Sequence, residues 1–365
     1  MLRRRTWTAA ISAGLVLSLA ACGGDSGGGD AGGDSGGDGG EVAGRVGVIL
    51  PDTESSVRWE NFDRPYLEAA FEAAGVEADI QNAEGDAQRM TTIAEQMITE
   101  GATVLAIVNL DSASGAEIQE QAAAEGVQTI DYDRLTLGGT AEYYVSFDNV
   151  AVGRLQGEGL AQCLGEDTPA NIAFLNGSPD DNNATLFSQG AHEVLDPIEN
   201  YTQVAEQAVP GWDNQQAATI FEQMYTQANG GIDGVYAAND GLANSVIQIL
   251  QRNNVAGIPV TGQDATVEGL QNILAGNQCM TVYKSVRDEA NALAELAVAL
   301  INGEEGQTTG EVEDSEGGRS VPSVLLEPQA IFRDNVKDVV DDEFVSAEDL
   351  CTGEFAAACE ELGIS

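Results

Sequence analysis

Short apolar runs alternate with amphipathic stretches along the chain from Arg45 onward. Residues 46–50 form the first predicted strand, and the apolar positions after it recur with helical spacing until Gly75, a typical helix stop. The unit recurs, with further predicted strands at 76–80, 103–108, 127–130, 171–175, 234–237, 258–261 and 280–283. This alternation predicts an α/β fold of two doubly wound parallel-sheet lobes, the first complete by about Phe147.

Length and charge limit the possible partners. A chain of 365 residues is expected to form about two domains of roughly 150 residues each. With 60 acidic and 15 basic residues, the formal net charge is -45, which excludes a nucleic-acid binder because phosphate contacts need clustered Lys and Arg. The hydrophobic fraction of 43% is ordinary for a globular protein, so the acidic residues are expected on the surface of a folded chain.

The beginning of the sequence resembles a bacterial lipoprotein signal. Arg3, Arg4 and Arg5 precede the apolar residues 9–19, and Leu19-Ala20-Ala21-Cys22 has the form of a small-residue cleavage site. The resemblance implies that residues 1–21 are removed and that Cys22 carries the lipid; an ordinary secretory signal is the alternative. Residues 22–44 then form a Gly/Asp/Ser tether. The predicted location is therefore outside the cytoplasm, lipid-anchored to the outer face of the cell membrane.

Polar and aromatic residues follow the predicted strands at their carboxyl ends, where doubly wound sheets bind ligands. The candidate binding residues are Arg58, Trp59, Arg134, Asp181, Asn183, Trp212, Asn239, Asp264 and Lys284. Carboxylates accept hydrogen bonds, cations donate them and amides do both, which suits a ligand covered with hydroxyl groups. A tryptophan ring offers a flat face to the C–H side of a sugar.

Each of these residues also has a purely structural interpretation. Asn182, Asn239 and Asp264 precede predicted helices and could be N-caps. The three cations could be surface charges, and either tryptophan could fill the core. Their shared position at the same end of successive strands favours a common cleft.

An enzyme on the same fold is the main alternative class of function. His192 is the single histidine, and it lies within a helical pattern typical of a helix-face residue. Asp181 and Asp264 could form a catalytic carboxylate pair, but the nearby cations are expected to keep both ionised. We therefore predict no catalytic residue, no metal site and no cofactor.

Ordered motifs around the candidate residues resemble those of a known family. The runs are Ser56-Val57-Arg58-Trp59, Tyr132-Asp133-Arg134, Gly177-Ser178-Pro179-Asp180-Asp181-Asn182-Asn183-Ala184, Gly211-Trp212, Asn239-Asp240, Gly262-Gln263-Asp264-Ala265 and Thr281-Val282-Tyr283-Lys284. They are similar to those of the bacterial D-xylose-binding proteins, the substrate-binding subunits of sugar ABC importers. The similarity spans roughly residues 45–340.

The resemblance implies a type I periplasmic binding protein fold, with two lobes joined by hinge strands and the sugar between them. The expected lobes are residues 45–147 plus 284–318 and residues 148–283 plus 319–365. Trp59 and Trp212 would sandwich the sugar, and the seven polar candidates would bind its hydroxyls.

The function implied by the resemblance is capture of an aldopentose, D-xylose first, by a monomer that delivers it to an ABC importer permease. Two alternatives stay open. The protein could bind several aldoses such as glucose, galactose or arabinose, or it could be a sugar-sensing lobe for a membrane receptor.

The remaining cysteines are expected to form disulfides, since exported proteins are oxidised. With Cys22 lipidated, four cysteines allow three connectivities. We expect Cys163 to pair with Cys279, because both lie at the far end of the second lobe. Cys351 and Cys359 are close enough in the tail to close a small local loop.

Overall fold

A computed structural model describes residues 44–364 of the protein. The predicted signal, nearly all of the predicted tether and Cys22 lie outside the described residues. The strands are β1 (Arg45–Leu50), β2 (Glu77–Asn82), β3 (Val104–Ile107), β4 (Gln128–Tyr132), β5 (Tyr143–Phe147), β6 (Ala170–Asn176), β7 (Tyr201–Ala208), β8 (Gly234–Ala237), β9 (Thr281–Tyr283), β10 (Gly310–Asp314), β11 (Arg319–Leu326) and β12 (Gln329–Ile331). The helices are α1 (Arg64–Ala74), α2 (Ala87–Thr99), α3 (Ser112–Ala124), α4 (Asn149–Leu164), α5 (Asn182–Leu195), α6 (Asn214–Gln227), α7 (Asp240–Arg252), α8 (Val267–Ala275), α9 (Val286–Asn302), α10 (Val336–Asp341), α11 (Ala347–Leu350) and α12 (Ala356–Leu362).

The first lobe is built on a sheet with the strand order β10-β11-β5-β4-β3-β1-β2. Its pairs are parallel except for the β10–β11 hairpin. Buried residues of α1 and α9 pack on one face, and those of α2 and α3 pack on the other. The inner strands β1, β3 and β5 are mostly apolar because both of their faces are covered, whereas the edge strands β2 and β10 are largely polar.

The second lobe has the parallel strand order β7-β6-β8. Val260 extends this sheet by bridging Val235 of β8, and its carbonyl accepts a hydrogen bond from Cys279 N at 2.9 Å. The antiparallel pair β9–β12 follows. The predicted strand at 258–261 is thus reduced to one bridge.

The chain crosses between the lobes after β5, after β9 and after β11. The crossing after β5 is hydrogen-bonded to the crossing after β11, because Asp148 N donates to Leu326 O at 3.0 Å. The predicted fold, two doubly wound lobes joined by hinge strands, is confirmed.

One predicted lobe boundary is wrong. Residues 319 onward were expected in the second lobe, but β11 pairs in parallel with β5 and therefore belongs to the first sheet. The chain returns to the second lobe at β12, which pairs with β9. The error arises because pairing between distant strands leaves no local mark in the sequence.

Both predicted disulfides, Cys163–Cys279 and Cys351–Cys359, are present. The first joins the end of α4 to the segment that enters β9. The second forms a small loop within the C-terminal tail. In the same tail, Phe344 stacks on Phe62 of the first lobe with ring centroids 4.1 Å apart. The tail also packs against α8, so it contacts both lobes.

Candidate ligand-binding site

A cavity of about 30 Å³ lies between the lobes, and we call it the inner cavity. All nine predicted binding residues line it. The full lining is Ser55, Ser56, Arg58, Trp59, Asp133, Arg134, Asp181, Asn183, Phe187, Trp212, Asn239, Gln263, Asp264 and Lys284. All of these except Ser56 are buried, so the cleft is shut around the cavity.

Trp59 forms part of the first-lobe wall. It begins a one-turn π-helix, Trp59–Asp63, that runs directly into α1. The indole N–H donates to Ser55 Oγ at 3.0 Å, which fixes the ring plane. The Arg58 guanidinium lies 4.6 Å from the ring centroid, and that of Arg134 lies 5.4 Å away. Both distances are within the range of cation–π attraction.

Arg58 is the centre of a buried ion cluster. It binds Asp63 with two hydrogen bonds of 2.8 Å, Asp133 at 2.8 Å and Glu289 at 2.6 Å. These bonds use four of the five guanidinium N–H groups, so at most one remains for a ligand. Arg58 therefore mainly organises its neighbours, a smaller direct role than the one predicted.

The three carboxylates around Arg58 differ in acidity. Burial raises the pKa of Glu289 well above its ordinary value despite the attraction of Arg58. Burial likewise raises the pKa of Asp63. For Asp133, burial is outweighed by the charges of Arg58, Lys284 and Arg134, and its pKa is lowered. The charge that faces the inner cavity from this cluster is therefore on Asp133.

Asp181 organises the second-lobe wall. It caps α5 by accepting from Asn183 N at 2.9 Å, so the cap is Asp181 and not Asn182. It also accepts from the Trp212 indole N–H at 3.1 Å, and it lies 3.1 Å from Arg134 Nε. Burial nevertheless raises the pKa of Asp181 against the pull of Arg134.

The Trp212 ring rests on bare backbone. A Cβ atom placed on Gly177 would lie 2.1 Å from the ring, so the indole needs a glycine beneath it. Phe187 packs edge-on against the same ring, with centroids 6.5 Å apart. Trp212 is thus positioned by Asp181, Gly177 and Phe187, and it also belongs to the second-lobe core.

The two asparagines combine structural and cavity-lining roles. Asn239 Oδ1 caps α7 by accepting from Leu242 N at 2.9 Å, while its Nδ2 donates to Ser55 O of the first lobe at 3.3 Å. Asn183 Nδ2 donates to Asp133 O at 2.8 Å, again across the cleft. The N-cap and ligand-site interpretations of Asn239 are therefore compatible.

Asp264 is not a helix cap, since Thr266 caps α8. Its Oδ1 lies 3.0 Å from Lys284 Nζ, and its Oδ2 accepts from Ser56 Oγ of the first lobe at 3.2 Å. Asp264 Oδ1, Arg134 Nε and Gln263 Oε1 are buried without a well-aligned hydrogen bond to any described residue. The first two are nevertheless ion-paired, since Lys284 Nζ lies 3.0 Å from Asp264 Oδ1 and Asp181 Oδ2 lies 3.1 Å from Arg134 Nε.

Several lining residues have left-handed backbone conformations. The φ angles are 60° at Asp133, 57° at Trp212 and 92° at Asp264. Such φ values are uncommon outside glycine and persist where the surrounding structure enforces them, often at functional sites.

Sequence reasoning left out some members of the site. Asp133 and Gln263 stand at predicted strand ends and within the motifs that carry the resemblance, but they were not among the nine candidates. Glu289 lies on the buried face of α9 among apolar neighbours, and a lone acid on an apolar stripe could have been noticed. Phe187 on α5 carries no signal that separates it from the core.

His192 lies outside the inner cavity. Its ring stacks on Phe174 and contacts Asp196 at 2.9 Å and Glu206 at 3.3 Å. Burial alone would lower its pKa, but the two acids outweigh burial and raise it. Among residues 44–364, no group of three or more His, Cys, Asp or Glu is arranged to hold a metal ion, and no helix is long and apolar enough to span a membrane.

Known proteins are similar to this chain in sequence, and one solved structure is similar to it in fold. A D-xylose-binding periplasmic protein of Escherichia coli strain K12 is 35% identical over 300 residues, covering 81% of this chain and 89% of that protein. A multiple sugar-binding periplasmic receptor of Rhizobium radiobacter is 32% identical over 319 residues, covering 81% and 89% respectively. The crystal structure of an ABC transporter solute binding protein from Clostridium phytofermentans with bound β-D-glucose matches with a TM-score of 0.77 and 30% identity. That match covers 84% of this chain and 99% of the other.

The profile of the family described as periplasmic binding protein domain matches residues 46–305. This range runs from the second residue of β1 through β9, and it includes all nine predicted binding residues. The two-lobed fold, the closed cleft and this match lead to one conclusion: the chain belongs to the family of periplasmic binding proteins.

Proposed function

We propose that the protein captures a monosaccharide, D-xylose first among the aldopentoses, in the inner cavity and delivers it to the permease of an ABC importer. The observation that carries this proposal is a closed cavity that combines two tryptophan rings with incompletely bonded polar groups. A buried polar atom without a partner among the described residues, such as Gln263 Oε1, costs about 1–3 kcal/mol. Sugar hydroxyls both donate and accept, so one ring can supply partners for Arg134, Gln263 and Asp264.

Related proteins support a sugar as the ligand and leave its exact identity to experiment. One relative is named for D-xylose, another for multiple sugars, and one solved structure holds β-D-glucose. The Gly211-Trp212 motif favours xylose within the resemblance. Binding of glucose, galactose or arabinose as well is the alternative within the same mechanism.

Closure of the lobes is the proposed mechanism of capture. In the closed form, Asn239 and Asp264 of the second lobe reach Ser55 and Ser56 of the first. A sugar bonded to both lobes favours this form, because hydrogen bonds to charged groups contribute roughly 1.5–3 kcal/mol each. The permease then recognises the closed shape, which the sugar-free protein adopts less often.

Isothermal titration calorimetry on the purified full-length protein tests this function. We expect D-xylose to bind with a micromolar or tighter dissociation constant, compared with D-glucose, D-galactose, L-arabinose and D-ribose. Heat from an amino acid or phosphate, with none from any aldose, would contradict the proposal. Turnover of a bound sugar would indicate an enzyme instead.

The proposed location is the outer face of the cell membrane, with Cys22 lipidated and the tether holding a monomeric binding domain away from the bilayer. This rests on the signal-like residues 1–22 and the Gly/Asp/Ser-rich run after them. Mass spectrometry of the N-terminal peptide from membranes should show a diacylglycerol-modified Cys22. An unmodified peptide in the soluble fraction would contradict the anchor.

A sensory role is a second candidate, favoured by the name of the Rhizobium radiobacter relative, which is a receptor. The cavity and closure would be the same, and the membrane partner would differ. Crosslinking of the sugar-loaded protein in native membranes should capture permease subunits. Capture of a signalling receptor instead would support the second candidate.

A further inference from the structure

A second cavity lies between the lobes beside the inner cavity, and we call it the outer cavity. Its volume is about 280 Å³, compared with about 30 Å³ for the inner cavity. Its lining is Glu54, Ser55, Ser56, Val57, Asn61, Phe62, Asn214, Asn239, Gly241, Asp264, Thr266, Val267 and Glu268. Ser55, Ser56, Asn239 and Asp264 line both cavities, so the two spaces adjoin along these residues.

Two long hydrogen bonds between the lobes lie where the cavities adjoin. Ser56 Oγ donates to Asp264 Oδ2 at 3.2 Å, and Asn239 Nδ2 donates to Ser55 O at 3.3 Å. Both bonds are at or beyond the long end of the usual range. Both join opposite lobes, so a small adjustment of closure changes them. Hydroxyl and glycosidic oxygens of a sugar could replace these partners.

The outer cavity has the chemistry of a second sugar subsite. Its base is polar and buried at Ser55, Asn239 and Asp264, while its rim carries exposed Asn61 and Glu268. Phe62, Val57 and Val267 add apolar surface. A sugar ring has the same mixed character, with a C–H face and a girdle of hydroxyls.

Val57 adds an exposed apolar side chain to the lining of the outer cavity. Its side chain is 52% exposed, and Val204 at 39% is the other large hydrophobic residue that is exposed in the described part of the chain. An exposed apolar side chain at the mouth of a cavity between two lobes is suited to contact with bound material. Val57 does not line the inner cavity.

We propose that the outer cavity is a second sugar subsite, and that the protein also takes a disaccharide with one ring in the inner cavity and the other in the outer cavity. This inference rests on the proposed function. It extends the ligand class from free monosaccharides to O-linked disaccharides of the same sugar.

Titration of the full-length protein with D-xylose and with β-1,4-xylobiose tests the inference. Xylobiose is linked through O1 of one ring and O4 of the other. Either of its two rings can therefore occupy the inner cavity while the other occupies the outer cavity. We expect xylobiose to bind with a dissociation constant within about tenfold of that of xylose. Binding of xylose without binding of xylobiose would overturn this inference and leave the proposed function intact. Binding of neither would overturn this inference, and the proposed function would fall with it only if no aldose of the comparison panel binds.

A matched pair of variants locates the second ring. Val57→Trp places an indole in the outer cavity, and Val204→Trp makes the same change at the exposed valine of β7. We expect Val57→Trp to weaken xylobiose binding at least about tenfold while xylose binding changes less than about threefold. Val204→Trp should change neither. Equal weakening of both sugars by Val57→Trp, or unchanged xylobiose binding, would contradict a subsite here.

Discussion

At the residue scale, the Asp264 carboxylate contributes to an ion pair, to a contact between the lobes and to the lining of the inner cavity. It pairs with Lys284, accepts from Ser56 of the opposite lobe and retains an oxygen without a well-aligned hydrogen bond. Its φ of 92° requires a residue that tolerates left-handed backbone, and Asn is among the most tolerant replacements. The conservative variant Asp264→Asn therefore tests the charge with little backbone strain.

We expect Asp264→Asn to weaken sugar binding about tenfold to hundredfold, which corresponds to about 1.5–3 kcal/mol of charge-assisted hydrogen bonding. The melting temperature without sugar should also fall, because Lys284 loses its buried partner. Calorimetry and thermal melting measure both quantities. Asp180→Asn removes a charge from an exposed neighbour of the site and should leave both unchanged. Unchanged affinity in Asp264→Asn would remove this residue from the site.

Trp212 depends on the absence of a side chain at Gly177. Gly177 has no left-handed backbone, so alanine there acts through the clash with the indole alone. We expect Gly177→Ala to displace the ring and weaken sugar binding by more than about tenfold. Gly310→Ala is the control, since a Cβ there meets nothing within 4 Å. Binding that is unchanged in Gly177→Ala would show that the ring position does not matter.

At the element scale, the two disulfides constrain segments of very different length. Cys163 and Cys279 are 116 residues apart, whereas Cys351 and Cys359 are 8 apart. Loop-closure entropy assigns about 5 kcal/mol to the first and about 2.5 kcal/mol to the second. We expect the double variant Cys163→Ser, Cys279→Ser to lower the free energy of unfolding more than Cys351→Ser, Cys359→Ser. Urea denaturation measures the difference, and the reverse order would contradict the entropic account.

The helix that begins at the site also couples it to the tail. The π-helix Trp59–Asp63 carries Trp59 at the inner cavity, Asp63 beneath Arg58 and Phe62 against Phe344. One turn of backbone thus touches the ligand site, the ion cluster and the C-terminal segment. A π-turn widens the spacing of side chains relative to an α-helix, and such turns are frequent at functional sites.

At the scale of the whole molecule, stability is expected to fall as pH rises. Burial raises the pKa of Asp131 in the first lobe and of Asp240 in the second to about 7 in each case. The ordinary pKa of an unfolded aspartate is about 3.9. The folded state therefore binds protons more tightly, and this contribution to stability is complete below about pH 4 and lost as pH approaches 7. The formal net charge of -45 adds repulsion in the same direction.

Denaturation at pH 5 and pH 8 tests this expectation. The free energy of unfolding should be smaller at pH 8, and Asp131→Asn should shrink the difference by an amount of the order of 3 kcal/mol. Asn also disturbs hydrogen bonds from Gln119 and Thr136, so the informative quantity is the change between the two pH values and not the stability at either. A difference equal to that of the native protein would contradict the role of Asp131.

Much of the fold and of the candidate site could be predicted from the sequence. Strands buried on both faces, such as β1 and β6, are mostly apolar, and they were predicted to within a residue at either end. The polar strand β7 was missed because it lies at a sheet edge, where few of its side chains are buried. All nine candidate residues reached one cavity, because carboxyl ends of parallel strands meet at one edge of a sheet.

Tertiary structure alone decided which of these residues are available to a ligand. Arg58 is next to Trp59 in the sequence and was predicted to bind the ligand with it. Its guanidinium is instead largely occupied by Asp63, Asp133 and Glu289, which lie on three different segments of the chain. The same holds for the lobe assignment of β11 and for the raised pKa of Asp181. Local pattern determines which segments become strands and helices, because burial imposes its period on the sequence. Pairing of distant strands, ion partners and desolvation depend on contacts between residues far apart in the chain, and these are set only when the chain has folded.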